Sequence, residues 1–366
     1  MKKICVIVAA LMLIVMFIPA FTSCTQKIGD YDVTFFRPGM STAETDPIVM
    51  AIQNYKDLYG AKVTVATAGW GDYITKVIAN AAAGKAFDVV FGSTNTFPYY
   101  FTKELVQPID KYVDLKNETL NISLMDSAFR YNNSYYMAAS KSYMYTGVLT
   151  WYVYYNADAI TEAGFDTPLE MYQNGEWNYD NFAKIGKAFT ERDSETGEIA
   201  KYGCSSWWWA GWIWGNGTSM LSMDKSGQLS ENTSDIKLLN GIQAYLDNCR
   251  SNDAWFEVSG AGVGNFTSGK SVMTCEREFA YNDFARYKKA GTLNFNFECV
   301  PFPYGPDNKE GYNVMDADGL CIGNKCKNPK AAGVFIDEYM TFLYDLAMSD
   351  AEQTIPKEVR ELFEKT

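Results

Sequence analysis

The chain has 366 residues, 47% of them hydrophobic, and a formal net charge of −12. A chain this acidic is not drawn to nucleic acid or to anionic lipid by its bulk field. It contains no histidine, which excludes Ser-His-Asp and Cys-His catalysis and histidine-ligated metals but not carboxylate chemistry; neither a metal nor a cofactor is expected.

The N-terminus reads as an export signal. Lys2 and Lys3 precede an unbroken apolar run from Ile4 to Ile18, followed by Pro19, Ala20 and Phe21-Thr22-Ser23-Cys24. That run is shorter than the ~20 residues of a spanning helix, and small residues before a cut site complete a secretory signal. Thr22-Ser23-Cys24 resembles the lipobox of bacterial lipoproteins, which implies acylation of Cys24 and a mature chain starting there. Removing residues 1–23 takes away two lysines and no acids, shifting the net charge from −12 to −14.

Past the signal, YDVTFF (31–36) has strand character. Asp46-Pro47 opens a helix ending at Gly60, and KVTVAT (62–67) is a second strand. Asp72 to Ala83 is a second helix with Ile74, Val77, Ile78 and Ala81 inward. FDVVF (87–91) is a third strand, apolar enough to be covered on both faces. This alternation predicts a mostly parallel sheet flanked by helices. Further on come a β-prone stretch at 148–155, a helix at 178–189 aligning Phe182, Ile185 and Phe189, and a polar turn at 193–198. A helix at 234–249 is expected to face inward with Ile236, Leu239, Ile242 and Leu246. A strand at 293–300 and a long helix at 328–344 follow. Cys204, Cys249, Cys275, Cys299, Cys321 and Cys326 form no C-x-x-C pair, and a core of this size needs no disulfides, so mostly free thiols are expected.

Short motifs recur in a set order: Ala86-Phe87-Asp88-Val89-Val90-Phe91-Gly92, Tyr155-Asn156-Ala157-Asp158, Ala163-Gly164-Phe165-Asp166-Thr167-Pro168 and Glu176-Trp177-Asn178-Tyr179-Asp180-Asn181-Phe182. Then come Phe266-Thr267-Ser268-Gly269-Lys270-Ser271-Val272-Met273, Val300-Pro301-Phe302-Pro303 and Asn328-Pro329-Lys330-Ala331-Ala332. Together they resemble the sugar-binding lipoproteins of bacterial ABC importers, extracellular solute-binding protein family 1, relatives of maltose-binding protein. The resemblance implies an α/β, two-lobed, type II periplasmic-binding-protein-like fold, each lobe a mostly parallel sheet flanked by helices. The expected division is a signal at 1–23, a first lobe at 24–147, a second at 148–316 and a return to the first at 317–366. The family usually crosses between lobes three times; here the end after 328–344 implies a trimmed second lobe or a shortened chain.

Ligands in open α/β sheets sit beyond the carboxyl ends of strands and in clefts between domains. This directs attention to Trp70 and Asp72 after the second strand, and to Ser93, Thr94 and Asn95 after the third. Trp70, between two glycines, offers a face for a sugar's C–H surface or plugs the helix top. Ser93, Thr94 and Asn95 bond sugar hydroxyls or cap the next helix. Residues 207–214 carry five of the nine tryptophans, a density that suits a cleft wall, with packing inside the second lobe the alternative for about half of them; Trp212 and Trp214 are expected to meet the solute. By the resemblance, Glu276 and Arg277 reach the cleft, with a surface ion pair or helix start as the alternative. Asp316 and Asp318 are cleft acceptors or hinge groups. Tyr143, Tyr145 and Trp151 flank the first crossing and line the floor. The implied function is a monomeric, lipid-anchored receptor outside the cytoplasm that delivers a mono- or oligosaccharide to an ABC permease. A glycan-cleaving enzyme and a non-transport glycan-binding surface protein are the alternatives.

Overall fold

A computed structural model describes residues 30–365 apart from 40–42, 45, 86, 143–146, 208, 225–227, 252 and 258–260. The export signal, Cys24, Tyr143 and Tyr145 lie outside the described residues.

The first region alternates strand and helix: β1 (Val33–Pro38), α1 (Pro47–Tyr59), β2 (Val63–Ala68), α2 (Tyr73–Ala82), β3 (Val89–Ser93) and α3 (Phe97–Thr102). Asp46 caps α1, its Oδ1 accepting from the N–H groups of Ile48 at 2.9 Å and Val49 at 3.3 Å. Gly60 closes that helix at φ 59, a left-handed conformation that suits a residue without Cβ. Strand β1 pairs in parallel with both β2 and β3. All five residues of β3 are buried, which explains its apolar sequence.

Strand β4 (Gly147–Asn156) leads into the second region. There follow α4 (Tyr179–Phe189), β5 (Ile199–Ser206), α5 (Gly211–Trp214) and a hairpin of β6 (Leu221–Met223) and β7 (Leu229–Glu231). Then come α6 (Ile236–Ala244), β8 (Ser271–Arg277), α7 (Ala280–Lys289) and β9 (Phe297–Pro301). Strand β10 (Met315–Gly323) returns, and α8 (Pro329–Thr354) and α9 (Lys357–Lys365) follow it. The main sheet runs Phe256–Glu257, β5, β8, β4, β10, β3, β1, β2. Strand β4 contributes its first residues to β10 and its remainder to β8 and β9, all antiparallel. Strand β10 pairs at one end with β4 and at the other with β3. These two strands join the regions. Gly147 starts β4 at φ 123, where a Cβ would fall 2.0 Å from the Ser140 carbonyl.

Each region has its own core. The first draws on residues between 33 and 139 and between 317 and 343. The second is aromatic, with Trp151, Trp177, Trp212 and Trp255 fully enclosed. A third cluster around Tyr152, Tyr154 and Phe284 takes in Ala347 and Ile355. The 317–366 segment therefore does not all return to the first region. Helix α8 begins on the first core and ends on the second region's third cluster, and the Phe363 ring packs 4.8 Å from that of Tyr152.

Helix α6 also departs from expectation. Its buried residues are Leu238 and Gly241, continued by Tyr245 and Cys249 in the following turn, while Ile236, Leu239 and Leu246 are exposed. Tertiary fit selects this face: at Gly241 a Cβ would lie 3.0 Å from Asn216 and 3.1 Å from the Trp212 carbonyl. The six cysteines between 204 and 326 are free thiols. No helix of the described residues is long and apolar enough to cross a membrane.

Candidate functional site

The cleft forms where β4 and β10 pass between the regions. It has a volume of 560 Å³ and takes Trp70, Phe91, Ser93 and Asn95 from the first region and Trp207, Glu276, Arg277 and Phe279 from the second, with Asp318 from β10. Three of its walls follow directly from strand ends. Trp70 comes after β2, Ser93 ends β3, and Trp207 comes after β5. A polar or aromatic residue just past a strand's carboxyl end is held by the sheet yet lies beyond the core, where a ligand can reach it.

Trp70 is 66% exposed, with its ring edge-on to Phe91 at 5.6 Å. Trp207 is 38% exposed and packs 5.3 Å from the buried ring of Trp151. Between them sits a charged group of four acids and one arginine. Arg277 donates from Nε to Asp316 Oδ1 at 3.1 Å and from Nη2 to Oδ2 at 2.6 Å. Its guanidinium also lies 5.0 Å from the Trp151 ring and 5.7 Å from that of Trp207. Glu276 approaches Arg277 at 3.9 Å and accepts from the Trp207 indole at 3.4 Å. Burial works against the guanidinium charge, but Asp316, Asp318 and Glu276 overturn it, so Arg277 stays firmly protonated.

Asp318 differs from Asp316. Burial first, and repulsion from Asp316 second, push its carboxyl up to about 7 against the pull of Arg277. Burial likewise raises Glu276, and raises Glu278 strongly. Glu278 is enclosed, with Oε2 lacking a partner among the described residues. The cleft therefore offers one fixed cation, already neutralised from behind by Asp316, and the carboxyl groups of Glu276 and Asp318, of which Asp318 stands poised between donor and acceptor roles. Such groups bond hydroxyls without demanding a charged ligand.

The expected site residues divide. Trp70, Ser93, Asn95, Glu276, Arg277 and Asp318 line the cleft. Asp316 stands behind Arg277, and Trp151 lies beneath it, both buried. Thr94 and Trp214 line a separate cavity. Asp72, at the N-cap of α2, is not in the cleft lining; it is exposed and 4.0 Å from Lys76. The capping alternative is not seen: the residue before α3 is Thr96, which makes no side-chain cap to that helix, and its Oγ1 instead accepts from the Ser93 N–H at 2.8 Å within the turn. Trp212 needs correction. It is fully buried, ringed edge-on by Tyr179 at 4.6 Å, Phe182 at 5.1 Å, Phe302 at 5.1 Å and Trp255 at 5.4 Å. A short helix such as α5 must place one side inward, and Trp212, not Trp214, falls on that side. Trp207, Tyr73 and Phe279 were not anticipated. Reading 199–206 as a strand would have singled out Trp207, the next residue.

The architecture resembles that of solved sugar-binding proteins. The ABC substrate-binding protein Lmo0181 of Listeria monocytogenes, in complex with cycloalternan, superposes with a TM-score of 0.66 at 17% identity over 88% of this chain and 78% of that one. The GacH receptor of Streptomyces glaucescens gives 0.64 at 17% identity, covering 90% and 79%. CpMnBP1 with mannotriose bound gives 0.68 at 18% identity, covering 93% and 89%. At these identities the likeness establishes the two-lobed fold alone. No curated protein sequence matches the chain. The profile of the bacterial extracellular solute-binding proteins matches residues 50–343, most of the length and all of the cleft, and the chain belongs to that family, whose work lies outside the cytoplasm.

Proposed function

We propose that this chain is the receptor of an ABC import system, closing on a neutral carbohydrate in the cleft and passing it to a membrane permease while an acyl chain on Cys24 keeps it at the membrane. One observation carries the reading: two exposed indoles, Trp70 and Trp207, stand on opposite regions across a cleft whose remaining polar groups are hydroxyl, amide, carboxyl and the one Arg277 guanidinium, paired with Asp316. Sugar rings present apolar C–H faces and a rim of hydroxyls, which suit indole faces and such polar groups respectively. Two strands joining the regions give a hinge across which a bound sugar favours the closed state.

Calorimetry of the purified chain with neutral sugars tests this. Binding accompanied by unchanged sugar in chromatography supports a receptor. Turnover that disappears in Glu276→Gln would overturn it in favour of a glycan-cleaving enzyme. Metabolic labelling with a fatty acid, lost in Cys24→Ala, tests the tether. Co-purification with permease subunits from membranes tests delivery and separates this reading from a non-transport surface protein.

A further inference from the structure

A second cavity also has walls from both regions. It measures 440 Å³ and is lined by Thr94 from the first region and Trp214, Asn232, Tyr312, Asn313 and Met315 from beyond β4. It adjoins the Trp70 cleft. Ser93 and Asn95 face the cleft while Thr94, between them, faces the second cavity. Ser93 and Asn95 are at most about 7 Å apart along the chain, so one turn of backbone separates the two spaces. On β10 the same division recurs, with Met315 on the second cavity and Asp318 on the first.

The rim of this cavity is built with buried polar groups. Asn216 is fully enclosed, donating to the Lys237 carbonyl at 2.6 Å and to Asp307 Oδ2 at 3.1 Å, while its Oδ1 accepts from the Asp307 N–H at 2.9 Å. Asn308 donates to the Gly215 carbonyl at 3.1 Å and to the Tyr312 carbonyl at 2.7 Å, and accepts from the Tyr312 N–H at 2.9 Å. Gly305 completes the knot, since a Cβ there would lie 2.4 Å from Asn216 Oδ1. The result fixes the turn after Trp214 to the loop carrying Tyr312. Yet Tyr312 is itself 60% exposed. Leaving a large ring exposed on a fixed backbone gains little for the fold. It does place an aromatic surface for a ligand, because the backbone beneath it is ordered before binding.

The two cavities differ in charge. Glu276, Arg277 and Asp318 line the first, and among the described residues no charged side chain lines the second. Two aromatic bodies among hydroxyl and amide groups suit a neutral polyol. We infer that the second cavity is a subsite for a further unit of the same glycan, so that the ligand is a neutral oligosaccharide extending from Trp70 and Trp207 past Thr94 onto Trp214 and Tyr312. This rests on the sugar-receptor reading above and gives the ligand a length.

The test is calorimetry with manno- and malto-oligosaccharides, from monosaccharides to hexasaccharides, on the full mature chain and on Tyr312→Ala. In a series that binds, affinity should rise about tenfold at the unit that reaches the second cavity. Tyr312→Ala should abolish that rise and leave shorter members unchanged. Tyr312→Phe should retain it, since the ring and not the hydroxyl does the stacking. Affinity that stays flat with length, or a rise that survives Tyr312→Ala, overturns the subsite while leaving the receptor reading in place. A chain that binds none of these sugars, short or long, overturns both.

Discussion

Two tryptophans named from sequence as ligand contacts, Trp70 and Trp212, have opposite surroundings. Trp70 follows a strand and sits between Gly69 and Gly71, so the chain has turned away from the core before its side chain can enter it; 66% of it remains exposed. Trp212 lies in the middle of a one-turn helix packed on α4, and no part of it is exposed. The lesson is that aromatic density does not mark a ligand wall. What separates the two rings is the backbone beneath them: a loop beyond a strand's carboxyl end presents its residue outward, whereas a helix packed on its neighbours must bury one side. Trp207, the first residue after β5, obeys the same rule as Trp70 and also reaches the cleft.

Replacing Trp212 should break the fold and not a ligand contact. Trp212→Ala empties a site ringed by aromatic side chains, and a loss of about 3–5 kcal/mol is expected. Chemical denaturation would show it, and an unchanged midpoint would return Trp212 to the list of surface rings. Somewhat smaller is the effect of Asp316→Asn. It leaves Arg277 buried with its bidentate partner gone, near the lower end of the 3–5 kcal/mol seen when one member of a buried pair is removed, so about 3 kcal/mol. Arg277→Met in the same background should recover part of this loss. If the double variant is as unstable as the sum of the singles, the pair contributes nothing of its own.

Much of the first region was legible because local signals and tertiary structure agree there. Asp46, Pro47 and Gly60 bound α1 as their cap chemistry requires, and β3 is apolar because both its faces are covered. Helix α6 was legible in extent and wrong in face. Ile236, Leu239 and Leu246 have helical spacing, but Leu238 and Gly241 fit the Trp212–Asn216 turn, a contact with no local signature. The cleft was read in half. Trp70, Ser93, Glu276 and Asp318 come from short strand-end segments that sequence exposes. The division of labour between Asp316 and Asp318 is set by which of them meets the two nitrogens of Arg277, and that depends on the register of β10 against β4. Asp72, the N-cap position just before α2, is exposed and absent from the cleft lining.

Asp318 sharpens the contrast between neighbouring acids. Its folded carboxyl titrates at about 7, above the unfolded value of about 4. Between those values the folded chain holds a proton that the unfolded chain has released, so stability falls as pH rises through this window and is lowest above it. Asp318→Asn removes the dependence. Its melting temperature should match the parent near pH 4 and exceed it at pH 8, by the equivalent of up to about 4 kcal/mol. Glu276 and Glu278, also raised by burial, leave part of the slope in place. A parent and variant with parallel pH profiles would show that Asp318 ionises as an ordinary surface acid.

Trp70→Ala closes the comparison with the smallest effect on the fold. The ring buries little against its own chain, touching Phe91 edge-on, so stability should change by less than about 0.5 kcal/mol, as for ordinary surface substitutions. Its effect on a bound sugar should be larger than that. Loss of one stacking face corresponds to about 1 kcal/mol, or roughly five- to tenfold in Kd. Denaturation and calorimetry on one preparation separate the two quantities, and their ratio is the point. If Trp70→Ala destabilises the chain as Trp212→Ala does, Trp70 plugs the top of α2 and the strand-end rule fails where it looked strongest. If stability and affinity are both unchanged, the rule places a residue outside the core but not at a ligand. Only an intact fold with weakened binding makes the exposed indole a working surface and the enclosed one its support.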